Sequence, residues 1–171
     1  TFAAPGEKVL IQPPVYYPFF SAVENNGRRV VRNPLMLEGG RFRMDLDDLE
    51  RKIDSRTRLL ILCSPHNPVG RVWTKEELER LGAICVRHDL LVLSDEIHMD
   101  LVYGGHRHVP FASISPELAD RTITCVAPSK TFNVAGLTTS LVVASNRSLL
   151  ARYNAALTAS GLGIAGLFGI V

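Results

Sequence analysis

The sequence predicts an α/β domain, a three-layer sandwich in which helices cover both faces of a mostly parallel sheet. Three observations carry this. Strand-like and helix-like segments alternate along the 171 residues. The runs at 59–63, 90–93 and 122–126 are almost continuously apolar, as expected of strands covered on both faces. Between the first two lies a strongly signalled helix, and strands joined by helices of this length imply parallel βαβ units.

The elements follow in order. Residues 7–11 form a short strand, stopped by Pro13 and Pro14, which do not fit inside a sheet. Residues 16–25 read as a helix with Asn26-Gly27 as its stop, and 28–31 as the next strand. In 45–52, Leu46, Leu49 and Ile53 recur at helical spacing, with acidic residues in the first turn where the macrodipole favours them. Thr74-Lys75-Glu76-Glu77 is a capping box, and Leu78, Leu81 and Cys85 make the apolar stripe of the helix it opens. Residues 141–144 read as a further strand. Asn146 caps a last helix running from Ser148. Its apolar end, 161–171, is too short and glycine-rich to span a bilayer, and looks like a helix cut off before its capping sequence. Abrupt termini of this kind suggest an excerpt of a larger protein.

Composition narrows the function classes. The net charge is +2, and the basic residues are scattered. Arg28-Arg29, Arg56 and Arg58 read as solvated charges flanking strands, so nucleic-acid binding is disfavoured. Cys63, Cys85 and Cys125 are odd in number, sit in apolar contexts and form no C-x-x-C pair. They read as buried reduced thiols, which fits the cytoplasm. Residues 1–6 lack the charged and apolar regions of a signal peptide.

Lys130 follows the run at 122–126, Asp95 ends the run at 90–93, and Asn67 follows the run at 59–63. Open parallel sheets bind ligands beyond the carboxyl ends of their strands. An amine, a carboxylate and an amide delivered there by three strands make a candidate site. The amine and carboxylate suit pyridoxal phosphate (PLP), the lysine forming a Schiff base and the aspartate partnering the pyridine nitrogen.

Each segment also has a plainer reading. Ser64-Pro65-His66-Asn67-Pro68-Val69-Gly70 is a rigid turn, with X-Pro bonds that are candidates for cis geometry; it either simply joins a strand to the Thr74 helix or presents Asn67 to a cofactor's phenolate oxygen. Asp95 and Glu96 are costly to bury unless paired, and both are also placed to cap the following turn. His98, His106 and His108 cluster in sequence with Asp95 and Asp100, but no spacing there matches a helical zinc motif, so a metal site is not favoured. Ser129, beside Lys130, is placed to hold a phosphate oxygen with nearby backbone amides.

In this order and at these separations the three segments resemble fold-type-I PLP enzymes of the class I/II aminotransferase superfamily. Pro14-Val15-Tyr16-Tyr17-Pro18-Phe19, residues 64–74, 95–101 and 129–137 resemble more closely its MalY/PatB-type cystathionine β-lyase branch, over nearly the whole chain. The resemblance implies a PLP-dependent transferase-like large domain with a mostly parallel, mixed sheet. Residues 1–147 would be that domain without its N-terminal part, and 148–171 the start of the helix towards a C-terminal small domain. It implies Lys130 as the catalytic, cofactor-bonding lysine, Asp95 on the pyridinium nitrogen, Asn67 on the 3-oxygen and Ser129 on the phosphate. His98 stands where many aminotransferases place a tyrosine reaching the same oxygen, and Thr138 where they place a phosphate-binding arginine. Both replacements are usual in the lyase branch. Tyr16 and Tyr17 either approach the substrate cleft or pack on the sheet edge.

The function so implied is β-elimination from cysteine S-conjugates such as cystathionine, giving a thiol (homocysteine), pyruvate and ammonia. The alternatives are an aminotransferase acting with an α-keto acid and a non-catalytic regulatory protein of the same fold. Relatives complete the site with a glycine-rich phosphate cup, a carboxylate-gripping arginine and residues of a homodimer partner. The expected cofactor is pyridoxal 5′-phosphate and the expected ligand a small amino acid, with no membrane partner.

Overall fold

The computed structural model describes residues 1–161. Its strands are β1 (Lys8–Ile11), β2 (Arg29–Arg32), β3 (Met36–Glu38), β4 (Arg41–Arg43), β5 (Thr57–Cys63), β6 (Leu91–Asp95), β7 (Thr122–Val126) and β8 (Leu141–Val143). The helices are α1 (Pro18–Glu24), α2 (Leu46–Arg51), α3 (Lys75–Arg87), α4 (Pro116–Arg121), the single turn α5 (Pro128–Thr131) and α6 (Arg147–Ala159). Six strands form one sheet in the order β2-β1-β5-β6-β7-β8. All neighbours are parallel except β7 and β8, which run antiparallel. The expected α/β architecture with a mixed sheet is therefore what the chain adopts.

Alternation along the strands divides the core in two. Leu10, Leu60, Leu62 and Val92 face α2, α3 and α4, where they meet Leu49, Leu78, Leu81 and Leu118. Val9, Ile11, Ile61 and Cys63 face the other way, towards α1 and Val23. Side chains on both faces of a central strand meet apolar partners, which is why these runs lack the apolar–polar alternation of a half-exposed sheet. Where α3 passes α4 the contact is close: a Cβ added at Gly82 would lie 2.5 Å from Leu118 Cδ1.

Helix starts follow local chemistry. At α3 the Thr74 hydroxyl accepts from Glu77 N at 3.2 Å, while Thr74 N donates to Glu77 Oε2 at 2.8 Å, the reciprocal capping box the sequence announces. Asp45 caps α2 through Asp48 N at 2.9 Å. Helix α1 is shorter than expected because Pro18 occupies its first turn and sets its start. The Asn146 side chain accepts from Ser148 N and Leu149 N to open α6, while the expected apolar end at 162–171 lies outside the described residues.

Two features were not expected. The hairpin β3–β4 turns at Gly39 and Gly40, both at positive φ (56° and 77°), as a tight two-residue turn requires. Helix α4 opens at Ser115, whose hydroxyl accepts from Leu118 N. No helix among the described residues is long and apolar enough to cross a membrane.

Thr74→Ala removes a reciprocal cap and is expected to destabilise the fold by about 1 kcal/mol. Urea denaturation should show a lower midpoint at unchanged slope; an unchanged midpoint would mean that tertiary packing alone holds the start of α3.

Candidate active site

The ladder sets Cys63 of β5 opposite Asp95 of β6, and Asp95 opposite Cys125 of β7. Paired strands lie ~4.8 Å apart, so three strands release the chain side by side at their carboxyl ends. Each exit carries one of the residues singled out by the sequence.

Beyond β5 the chain enters the turn 64–70, with cis peptides at Ser64-Pro65 and Asn67-Pro68. His66 N donates to Arg71 O and Gly70 N to His66 O, both at 2.8 Å. Asn67 N reaches Cys63 Sγ at 3.4 Å, which holds the half-buried Asn67 over its own strand end. Behind the turn, the His66 ring meets Trp73 edge-on, centroids 5.5 Å apart, and Trp73 Nε1 donates to Cys63 O at 3.0 Å. The Arg71 guanidinium lies 4.6 Å from the Trp73 centroid, donates to Phe42 O at 2.7 Å and pairs with Glu77. Burial pushes the His66 pKa down to about 4. Neutral at ordinary pH, its Nε2–H donates to Pro14 O at 3.0 Å. Sequence reading did not identify this wall; its signal was the aromatic–cation pair Arg71 and Trp73 directly after the turn.

At the end of β6 the two adjacent carboxylates face opposite ways. Glu96 points into the core on the Ser94 side and is 1% exposed. It accepts from Ser94 Oγ at 2.7 Å and Phe111 N at 3.0 Å, and its second oxygen meets His108 Nε2 at 2.7 Å. Its burial is thus matched by partners, as a buried carboxylate requires. Asp95 takes the other face and has one weak local donor, Ile97 N at 3.3 Å. Burial pushes its pKa up; the Ile97 N–H and the charges of His98 and Lys130 act in the opposite sense, and Glu96 adds to the rise. The flanking thiols are pushed up by burial and by the Asp95 charge, Cys63 to about 12 and Cys125 to about 11. Both stay protonated, so Asp95 stands between two neutral neighbours.

After β7, Ala127 leads into α5, where Lys130 N bonds to Ala127 O at 3.1 Å and Phe132 N to Pro128 O at 2.9 Å. A single helical turn therefore presents Lys130. Its side chain is exposed, and Ser129 beside it is half-buried. Thr131 Oγ1 donates to Asp100 Oδ2 at 2.7 Å and ties this turn to the loop after β6. Thr138 ends the following 3₁₀ turn in the left-handed region at φ 48°.

Asn67 and His98 line one cleft of about 440 Å³, together with Pro65, Val72, Leu101 and Tyr103. Asp95, Ser129 and Lys130 are outside that lining, at the exits of β6 and β7. The clustering of histidines with Asp95 and Asp100 dissolves in three dimensions: His108 engages Glu96, Asp100 engages Thr131, and His106 is exposed. Among the described residues no group of three His, Cys, Asp or Glu side chains is placed to hold a metal ion. Tyr16 and Tyr17 are exposed and touch each other, centroids 5.7 Å apart.

The chain as a whole resembles known proteins. The family model for aminotransferase class I and II matches residues 1–161. The chain is 48% identical over 170 residues to cystathionine β-lyase PatB of Bacillus subtilis, covering 99% of this chain and 44% of that protein. It is 38% identical over 140 residues to kynurenine–oxoglutarate transaminase 3 of Rattus norvegicus, covering 77% of this chain and 31% of that one. Among solved structures, PLP-containing cystalysin of Treponema denticola superposes with a TM-score of 0.95 at 42% identity, over 98% of this chain and 43% of that chain. The chain thus spans less than half the length of these relatives.

The raised Asp95 pKa has a consequence for stability. Relative to the ordinary value of 3.8, the folded state holds its proton more tightly, so stability present below that value is lost as pH rises through the folded pKa. At pH 7 the ionised side chain opposes folding. Asp95→Asn is expected to raise the unfolding temperature of the cofactor-free protein at pH 7, the gain fading as the pH falls towards 3.8. Thermal melts across a buffer series test this, and an unchanged or lower midpoint at pH 7 would refute it.

Proposed function

The chain belongs to the aminotransferase class I and II family, and from that premise we propose that it is the cofactor-holding part of a PLP-dependent carbon–sulfur lyase. The substrates are cysteine thioethers such as cystathionine, and the products a thiol, pyruvate and ammonia. The observation that carries this reading is the set of side chains on three adjacent strand exits: the Asn67 amide, the Asp95 carboxylate and the Lys130 amine.

The residues present fit the cofactor. Asp95 is a half-buried carboxylate with one weak local donor, which suits it to a protonated ring nitrogen. Asn67 and His98 both line the cleft, where the Asn67 amide would donate to the ring oxygen. Ser129, beside the lysine, would serve as a phosphate ligand, and Lys130 presents a primary amine without burial. When bound, PLP supplies an electron sink at the substrate Cα.

The chain's own groups do the rest. Asp95, ionised, would hold a proton on the ring nitrogen and so sustain the sink. The Lys130 amine takes the Cα proton as general base. The electron pair left at Cα expels the thiolate from Cβ, the C–S bond breaks, and the thiolate takes a proton. The released enamine takes up water and falls to pyruvate and ammonia.

Relatedness supports elimination over amino transfer through PatB at 48% identity, and His98 and Thr138 stand where transaminases place tyrosine and arginine. The transaminase at 38% identity keeps amino transfer as the second reading. Residues 1–147 belong in this proposal to the large domain, and 148–171 to the helix leading onwards. The intact protein is taken as a cytoplasmic homodimer.

Incubation of the full-length protein with PLP and cystathionine should release pyruvate without any α-keto acid. Turnover that demands an α-keto acid and yields no pyruvate would replace the lyase with a transaminase. Lys130→Ala is expected to lower the rate by at least about 10²-fold, with loss of the visible absorbance of lysine-bound cofactor. Asp95→Ala should reduce turnover severely while the protein still folds.

A further inference from the structure

The loop 97–107 leaves the end of β6 and supplies His98, Leu101, Tyr103 and His106 to the cleft. Its internal bonds are few: Met99 N to Glu96 O and Leu101 N to His98 O, both 2.9 Å, and His106 N to Tyr103 O at 3.3 Å. Midway, Asp100 is held by Thr131. At its far end the loop returns to Glu96 itself. His108 Nε2 and Phe111 N both bond the Glu96 carboxylate, at 2.7 and 3.0 Å, and Ser94 Oγ fixes the same carboxylate from the strand. His108 is nearly buried and Glu96 wholly so. Phe111 is buried with Val92 and Leu118 in the larger core. Both ends of the loop therefore close on one residue, the near end on the Glu96 carbonyl and the far end on its carboxylate, which faces away from the cleft.

We propose that Glu96, through His108 and Phe111 N, is a positioning residue that sets the cleft wall formed by loop 97–107. This rests on the reading of the cleft as the amino-acid site of a PLP enzyme. Glu96 touches neither cofactor nor substrate. It fixes the path of the chain that brings His98, Leu101 and Tyr103 to the cleft. Because Asp95 and Lys130 are held by the ladder and by α5, release of the clasp leaves cofactor binding largely intact and loosens the wall. The effect falls on substrate binding more than on the chemical step.

The test uses the full-length holoenzyme with His108→Ala, and with Glu96→Gln, which keeps an acceptor for Ser94 and Phe111. Glu50→Ala is the stability control; it breaks the Arg87–Glu50–His88 cluster at the opposite end of the sheet, where α3 hands over to β6. His108→Ala is expected to raise KM for cystathionine on the order of tenfold while kcat and the absorbance of bound PLP change little. Glu96→Gln should fall between it and the parent, and Glu50→Ala should lower the unfolding temperature at parental KM. A second readout needs no turnover: in the cofactor-free protein, tryptic cleavage after the exposed Arg107 should accelerate on the order of tenfold in His108→Ala. Parental KM and parental cleavage in His108→Ala would overturn the proposal, as would an equal KM rise in Glu50→Ala. A parent that neither binds PLP nor turns over would instead refute the lyase reading, and the tryptic comparison would still decide the clasp.

Discussion

The backbone ladder that sets Cys63, Asp95 and Cys125 abreast is the constraint on which the site depends. Parallel strands in register end at a common level, so whatever follows them meets in one place. The turn carrying Asn67 and the helical turn carrying Lys130 have different local chemistry, one built on proline and sulfur contacts and the other on a short helical bond pattern. What they share is their point of departure. The buried apolar side chains of β5 and β6, packed from both faces, hold that point in place.

Within this frame the pleat sorts two carboxylates that the sequence presents as equivalent neighbours. Successive residues of a strand point to opposite faces. Glu96 consequently lands beside Ser94 and is saturated with partners, whereas Asp95 lands between two protonated thiols and keeps an unmet demand for a cation. An isolated carboxylate in partly dry surroundings raises its pKa rather than gaining stability. A site that must bind a protonated ring nitrogen profits from that state, because binding relieves a cost the folded chain already carries.

Much of this was legible in the sequence for physical reasons. Thr74 and Glu77 act within one helical turn, so the capping box predicts itself. The runs ending at Cys63, Asp95 and Val126 declare buried strands by lacking alternation, and the residues after them mark the candidate site. What escaped depended on partners distant in the chain or on weak local signals. The pairing of His108 with Glu96 needs the loop 97–107 to fold back, so the histidines looked like a cluster with Asp95 and Asp100. The antiparallel direction of β8 is set by how the chain returns after Thr138, not by the composition of Leu141–Val143. The hairpin β3–β4 did carry a local signal in Gly39-Gly40, overlooked because its strands are short and exposed. The helical turn at Lys130 was hidden by the proline that begins it.

The alternation of Asp95 and Glu96 also bears on how such a protein changes over generations. Substitution at either position alters one face of β6 and leaves the other alone. Gain or loss of a single residue in the strand would exchange the two faces, turning Asp95 into the core and Glu96 out of it. Descent with altered specificity is thus open to replacement along β6 and to length change in the loop beyond it, while the spacing of the strand itself is locked.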